Sequence, residues 1–440
     1  MGKAKFFWYF LFLLPICALF CESAQAAGTA KSPKLDSQAA YLIDLETRTV
    51  LFSQQADVRR EPASLTKVMT TLLALEHGNL DEMITVNQSA IDAFLSNNTA
   101  EDSTNAELEV GERLTLRDLL YCVMVSSSSD ACCVVAEAVS GSVPDFVELM
   151  NRRAAELGCT DTHFDNPHGL HSDTHYSTAA DLAKITIAAL QYDDFIDICN
   201  TASIEIPATN LHAMRYLKTT NYLLSSNTVG GYVYSRACGV KTGFTSQAGY
   251  CLISTAKNSK MSLLGVVMGA SVTLEERNTY VIHSFTDMVN LFEYGFDNFA
   301  RTSLLSNLDM VGEIPVTLAA AGSETAILAP VRSVAMVLPM DYDESLLKKT
   351  VSLSADSVEA PVHAGDILGT VTITYDGKLL DTVDLAAIAD VDRSEFRYLE
   401  QKLQLYWEMP WVKIAVFAVA ALFLLYLLRL CLPRRQRRSF

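Results

Sequence analysis

The sequence predicts an α+β domain, a small all-β domain after it, and one apolar helix near the C-terminal end. Three observations carry this. Short alternating strands occur near residue 40 and return near residue 240, with helical periodicity between them. N- and C-terminal pieces of that region then share an antiparallel sheet, with a helical cluster in the middle of the text. Beyond Arg301 the pattern changes to alternating strands punctuated by Gly, Asp and Pro. Last, Ile414–Leu428 is uncharged and apolar. At 440 residues, two folded domains with additional segments is the expected organisation.

Taken in order, residues 1–26 read as a secretory signal. Lys3 and Lys5 precede an apolar run that ends in Ala24-Gln25-Ala26, a small-residue cleavage site. Cys21 offers a second reading as a lipidated cysteine, against which the bulky Phe20 counts. Residues 27–300 form the first domain. "AAYLIDLETRTVLFSQQAD" reads as strand, turn, strand around Glu46-Thr47, and "EPASLTKVMTTLLALEHG" as a helix that begins near Ser64. Residues 112–139 and 177–190 carry helical spacing. "GVKTG", "GYCLISTA" and "MSLLGVVMGA" read as strands, and Glu275–Phe296 as a long closing helix. Residues 301–392 form the β-rich domain, and 393–410 a juxtamembrane linker, read as a helix on or near the membrane surface. Residues 411–432 supply the roughly 20 positions a bilayer crossing needs. Trp411 and Lys413 suit one interface and Arg429 the other, with 433–440 as a basic cytoplasmic tail.

The formal charge is −17. Residues 411–440 hold six bases and no acid, and residues 1–26 a net +1, which leaves −24 on the body of the chain. That argues against a nucleic-acid partner. Seven cysteines fall between the two ends, an odd number without a C-x-x-C pair, which argues against zinc. Buried free thiols are the preferred reading, and one disulfide among them stays open.

The chemistry begins at Ser64. A lysine three residues on, Lys67, shares its helix face, so the amine reaches the hydroxyl. Serine is a poor nucleophile without a base, and lysine serves as one only when its pKa is lowered. Burial and a second cation both lower it. Lys241 in "GVKTGFTSQAGY" can supply that cation. Thr242 with Lys241 can hold a carboxylate, and Gly243 leaves room for a substrate backbone to pair with the strand edge. By itself S-x-x-K is a weak signal, since a capping serine followed by a surface lysine has the same text.

Ser64-Leu65-Thr66-Lys67, a serine element and Lys241-Thr242-Gly243 resemble, in that order, the motifs of penicillin-binding proteins and serine β-lactamases. Among these, "PASLTKVMT", "NPHGLHSDTHYSTAADLA", "VKTGFTSQAGYCL" and "ERNTY…FEYGF" look like the D-alanyl-D-alanine carboxypeptidases of the low-molecular-mass penicillin-binding proteins. The resemblance covers nearly all of the chain after the signal. It implies a penicillin-binding, serine β-lactamase-like catalytic fold, then a β-rich domain and a membrane anchor. It also implies a site that trims the terminal D-alanine from peptidoglycan stem peptides through an acyl-enzyme and is inhibited by β-lactam antibiotics. In that reading Ser64 is the nucleophile, Lys67 the general base and Ser127 the proton relay. Backbone N–H groups of Ser64 and Phe244 form the oxyanion hole. Lys241, Thr242, Gly243, Ser129 and Arg277 bind substrate, with no metal and no cofactor.

Two positions depart from the family pattern. The middle motif is Ser-x-Asn in the family and Ser127-Ser128-Ser129 here, aligned by Asp130-Ala131. A serine hydroxyl is shorter than an amide and offers one donor where the amide offers two. Phe244 stands where the family often has histidine. The Ser129 departure motivates a rival reading, an impaired wall-organising protein that binds penicillin or muropeptide without turnover. A β-lactamase reading lacks a clear acidic residue to activate the deacylating water. His163, His168, His171 and His175 read as a loop beside the site rather than a metal centre. "SNNTAEDSTNAE" (96–107) is a polar loop without an assigned role.

Overall fold

The computed structural model describes residues 32–96, 103–225, 231–275 and 279–431. The signal segment, the basic tail and Arg277 lie outside these residues, as does half of the 96–107 loop. The chain divides into two compact units. The first holds the described residues up to Thr302 together with Met336–Tyr342, and the second holds Ser303–Ala335 and the described residues from Asp343 onward.

The first unit is built on a five-stranded antiparallel sheet. Strands β1 (Ala39–Asp44) and β2 (Val50–Gln54) form the expected hairpin. Its turn is fixed where the Asp44 carboxylate accepts from the amide and the hydroxyl of Thr47, each at 2.8 Å. Strands β3 (Ala237–Thr245), β4 (Gly249–Lys257) and β5 (Ser262–Ala270) return from late in the chain. The order is β2-β1-β5-β4-β3, which places β3 on an edge. Two-residue alternation sorts the strand side chains onto opposite faces. Ala39, Ile43, Ile253 and Val266 join one core, while Ala40, Leu42, Leu252 and Val267 join the other.

The second of these cores is covered by one helix, α5 (His283–Asn298), which buries Phe285, Met288, Leu291 and Phe292. The first is covered by α1 (Lys67–His77), α2 (Leu116–Met124), α3 (Ser129–Ser140) and α4 (Ala179–Ala189). Val68, Met69, Leu72 and Leu73 of α1 are buried, each stabilising the fold by about 1.5–3 kcal/mol. Thr115 and Thr178 cap α2 and α4 by accepting from Asp118 N and Asp181 N, contacts of about 1 kcal/mol.

Two helical expectations need correction. Residues 112–139 are not one helical run but two helices, α2 and α3, separated at Val125–Ser128. Ser127 there has a φ of 63°, a left-handed conformation that no helix continues through. Nor does the closing helix start at Glu275. Val272–Glu275 and Thr279–Ile282 pair as a hairpin, and α5 begins after it. Alternation across Val272–Ile282 is short enough to be absorbed into the neighbouring helical pattern.

The second unit contains a six-stranded sheet in the order Leu347–Leu353, Ile367–Tyr375, Lys378–Ala387, Thr325–Pro330, Gly312–Thr317 and Val358–Glu359. Ile314, Leu328, Val371, Ile373, Val383 and Leu385 are buried in it. Helix Glu395–Glu408 follows, capped by Ser394, and then an exposed apolar helix, Pro410–Cys431, of mean hydropathy 2.4 over Pro410–Arg429.

Candidate active site

Ser64 sits in a 3-10 turn, Ala63–Thr66, that runs directly into α1. With three residues per turn, positions i and i+3 eclipse one another more closely than in an α-helix. Lys67 Nζ accordingly donates to Ser64 Oγ at 2.9 Å. The same amine reaches Ser129 Oγ at 3.3 Å and the carbonyl of His168 at 2.8 Å. Lys67 is fully buried, so these three oxygens are its surroundings in place of water.

The His168 carbonyl comes from the histidine-rich loop, which is pinned from several sides. Thr70 Oγ1 donates to Pro167 O at 2.5 Å, and Gly169 N to Asn166 Oδ1 at 2.6 Å. Gly169 has a φ of 85°, and a Cβ there would lie 1.8 Å from Ala63 O. Only glycine lets the loop pass that close to the residue before Ser64. His175, buried, takes Asp165 N on Nδ1 and so donates from Nε2 to Thr66 Oγ1 at 2.9 Å.

Ser127, Ser128 and Ser129 lead into α3. The Ser127 hydroxyl accepts from Lys241 Nζ at 2.9 Å. The Ser128 hydroxyl turns instead to Ser126, at 2.8 Å. Asp130 is buried and accepts from Ala106 N, Leu108 N and Ala131 N. Burial raises its carboxyl pKa, opposed by those amides, so its oxygens serve the loop rather than either lysine.

The edge strand β3 supplies the third element. Besides Ser127, Lys241 Nζ reaches the carbonyl of Thr242 at 2.9 Å, and Thr242 Oγ1 meets Thr220 Oγ1 at 2.6 Å. Gly243 packs against the turn that carries Ser64. A Cβ on it would lie 3.1 Å from Pro62 O and 3.2 Å from Ser64 N. Its missing side chain thus lets the strand approach the Ser64 turn. The Phe244 ring is 44% exposed and packs on Tyr250, its cross-strand partner, with centroids 4.4 Å apart.

The electrostatics follow from burial. Desolvation pushes the Lys67 amine below its usual range, with Cys132, Cys133 and Asp130 pulling weakly the other way. Lys241 is pushed well down, first by burial and then by the nearby charge of Lys67. Two buried amines without a bonded carboxylate cannot both hold a proton cheaply. Nucleophilic acyl transfer requires a lysine of lowered pKa beside a serine hydroxyl, which is the arrangement of Lys67 and Ser64.

The structure brings Ser64, Lys67, Ser127, Ser129, Lys241, Thr242 and Gly243 together. Sequence reasoning passed over the His168 carbonyl, Thr220 and Thr104, which contacts both Ser127 and Ser129. Backbone carbonyls and side chains in polar loops leave no residue-type signal. Asp130 was visible, though only as an alignment mark. Of the seven cysteines between the ends, all are free thiols, six of them buried.

Fold and site together place Ser64 and two buried lysines between a sheet edge and a helical cluster, on an α+β domain followed by a β domain. The chain belongs to the D-alanyl-D-alanine carboxypeptidase family. Residues 26–272 match the family model of that description, and residues 301–393 match that of the penicillin-binding protein 5 C-terminal domain. It is 31% identical over 365 residues to D-alanyl-D-alanine carboxypeptidase DacF of Bacillus subtilis, covering 82% of this chain and 87% of that one. With DacA of Escherichia coli the identity is 30% over 371 residues, 83% and 86% of the two chains. The solved structure of penicillin-binding protein 5 from Haemophilus influenzae aligns with a TM-score of 0.62 at 28% identity, covering 82% of this chain and 99% of that one. The expected α+β catalytic fold with a following β domain is the observed one.

Proposed function

We propose that the protein cleaves the terminal D-alanine from peptidoglycan stem peptides through an ester on Ser64. The observation that carries this is the buried Lys67 amine, 2.9 Å from Ser64 Oγ and bonded otherwise only to neutral oxygens. Lys67 accepts the Ser64 proton as Oγ attacks the carbonyl between the two D-alanines. The amides of Ser64 and Phe244 hold the developing oxyanion. Ser127, bonded to Lys241, passes a proton to the departing amine and is reprotonated by Lys67, which is then free to act as base again. Lys241 and Thr242, with Arg277, hold the terminal carboxylate, and Ser129 steadies Lys67. Water then cleaves the ester, with Lys67 taking the proton.

β-Lactam antibiotics acylate Ser64 by the same first step and leave slowly. Pro410–Cys431 crosses the membrane and holds the catalytic unit on the extracytoplasmic side, where its substrate lies. Intact-mass spectrometry after benzylpenicillin treatment, paired with D-alanine release from a soluble pentapeptide, tests the reading. The parent gains one covalent adduct and releases D-alanine, and Ser64→Ala does neither. Equal D-alanine release by parent and Ser64→Ala overturns the mechanism.

A further inference from the structure

The backbone around Ser127 is held by a segment the proposed mechanism does not use. Thr104 Oγ1 donates to the Ser127 carbonyl at 2.6 Å. The Thr104 carbonyl in turn accepts from Ser129 N at 2.8 Å. One residue therefore brackets the motif from both sides, fixing the peptide groups before and after Ser128. The bracket is itself anchored. Ala106 N and Leu108 N bond to the buried Asp130 carboxylate at 2.9–3.0 Å. Behind them Arg215 Nε donates to Ala106 O at 2.9 Å. The Arg215 guanidinium is buried and bidentate on the buried Glu112, at 2.6 and 2.9 Å.

Why the active site needs such a bracket follows from the φ of 63° at Ser127. A side chain disfavours that conformation, which persists only where surrounding contacts over-determine it. If Ser127 relaxed toward an ordinary φ, its Oγ would swing off Lys241 Nζ, now 2.9 Å away. We propose that Thr104 is a positioning residue for the reaction: its hydroxyl, bonded to the Ser127 carbonyl, holds Ser127 left-handed so that Oγ stays aimed at Lys241. This rests on Ser127 acting as the proton relay. The Arg215–Glu112 pair extends the same role outward, since it fixes the carbonyl of Ala106 two residues along.

Thr104 is itself exposed, so its replacement leaves the core intact. The test compares the full-length parent with Thr104→Val, which removes the hydroxyl and keeps the shape, and with Thr104→Ser, which restores the donor. D-alanine release from a soluble pentapeptide gives kcat and KM, fluorescent penicillin gives the acylation rate, and a thermal melt checks folding. Thr104→Val is expected to lower kcat by roughly 10- to 50-fold, in keeping with the cost of misplacing a reacting group. KM stays within about twofold, because Thr104 does not reach Lys241 or Thr242. Thr104→Ser returns kcat to within about threefold of the parent. A Thr104→Val protein with kcat within twofold of the parent overturns the proposal. So does a Thr104→Ser protein as slow as Thr104→Val, since the loss would then lie in the methyl group. A parent that releases no D-alanine refutes the carboxypeptidase reading instead, and the penicillin acylation rates of the three proteins then decide the role of Thr104.

Discussion

Gly243→Ala isolates how closely the edge strand must approach the nucleophile. The glycine does not adopt a left-handed backbone, so alanine adds no conformational strain. The whole effect comes from the new methyl. It would stand 3.1 Å from Pro62 O, 3.2 Å from Ser64 N and 3.3 Å from Ala63 Cβ. Two of the three are backbone atoms of the turn that carries Ser64, so no flexible side chain can yield. Relief to ordinary contact requires β3 and the turn to separate by roughly 0.4 Å. A misplacement of about 1 Å costs on the order of 10²-fold in rate, so about 0.4 Å predicts a five- to tenfold slower acylation. Complete loss of one oxyanion donor sets the upper limit, on the order of 10²- to 10³-fold. The folding cost is that of a crowded contact, about 1–3 kcal/mol. Stopped-flow acylation by a fluorescent penicillin and a thermal melt on the same sample read both quantities. An acylation rate within twofold of the parent would refute the claim that Gly243 sets the strand-to-serine distance.

Ser129→Asn replaces a hydroxyl 3.3 Å from Lys67 Nζ with a longer amide. A gained active-site hydrogen bond outweighs the crowding of this buried position, so D-alanine release should rise about tenfold while the melting temperature falls a few degrees; a slower enzyme contradicts it. Gly169→Ala puts a methyl against the Ala63 carbonyl at a φ of 85°, and should cost more than about 3 kcal/mol, read by urea unfolding. Acid sensitivity follows from His175, whose pKa burial lowers from 6.5 to about 4. Between those pH values the unfolded chain binds a proton that the folded chain refuses. Stability therefore rises with pH through this window, and about 3 kcal/mol is lost on descending from pH 6.5 to 4. His175→Gln should flatten that part of the stability–pH curve; an unchanged slope would assign the acid sensitivity elsewhere.

The parts of the molecule legible in the text are those whose chemistry repeats or is spaced by secondary structure. Alternation exposed the β1–β2 hairpin, while β-branched residues punctuated by glycine exposed β3, β4 and β5. Ser64 and Lys67 were legible because three-residue spacing is itself geometry. The break after α2 was not, since Ser126–Ser129 carry no glycine or proline to announce it and the left-handed Ser127 depends on Thr104, 23 positions earlier. The contact of Gly243 with the Ser64 turn was not legible for a similar reason. A strand glycine signals close approach, but the text does not say to what. Membership of Met336–Tyr342 in the first unit likewise leaves no local trace.

The seven thiols give the folded state a chemical signature. Burial raises the pKa values of Cys122, Cys132, Cys133, Cys159, Cys199 and Cys251, so each remains protonated, sealed from reagents and inert toward oxidants. Cys238 alone among them is partly open to solvent. Of these seven, an alkylating reagent should mark one in the native molecule and all in an unfolded one. The interval before folding is the period in which oxidative cross-linking competes with the native state.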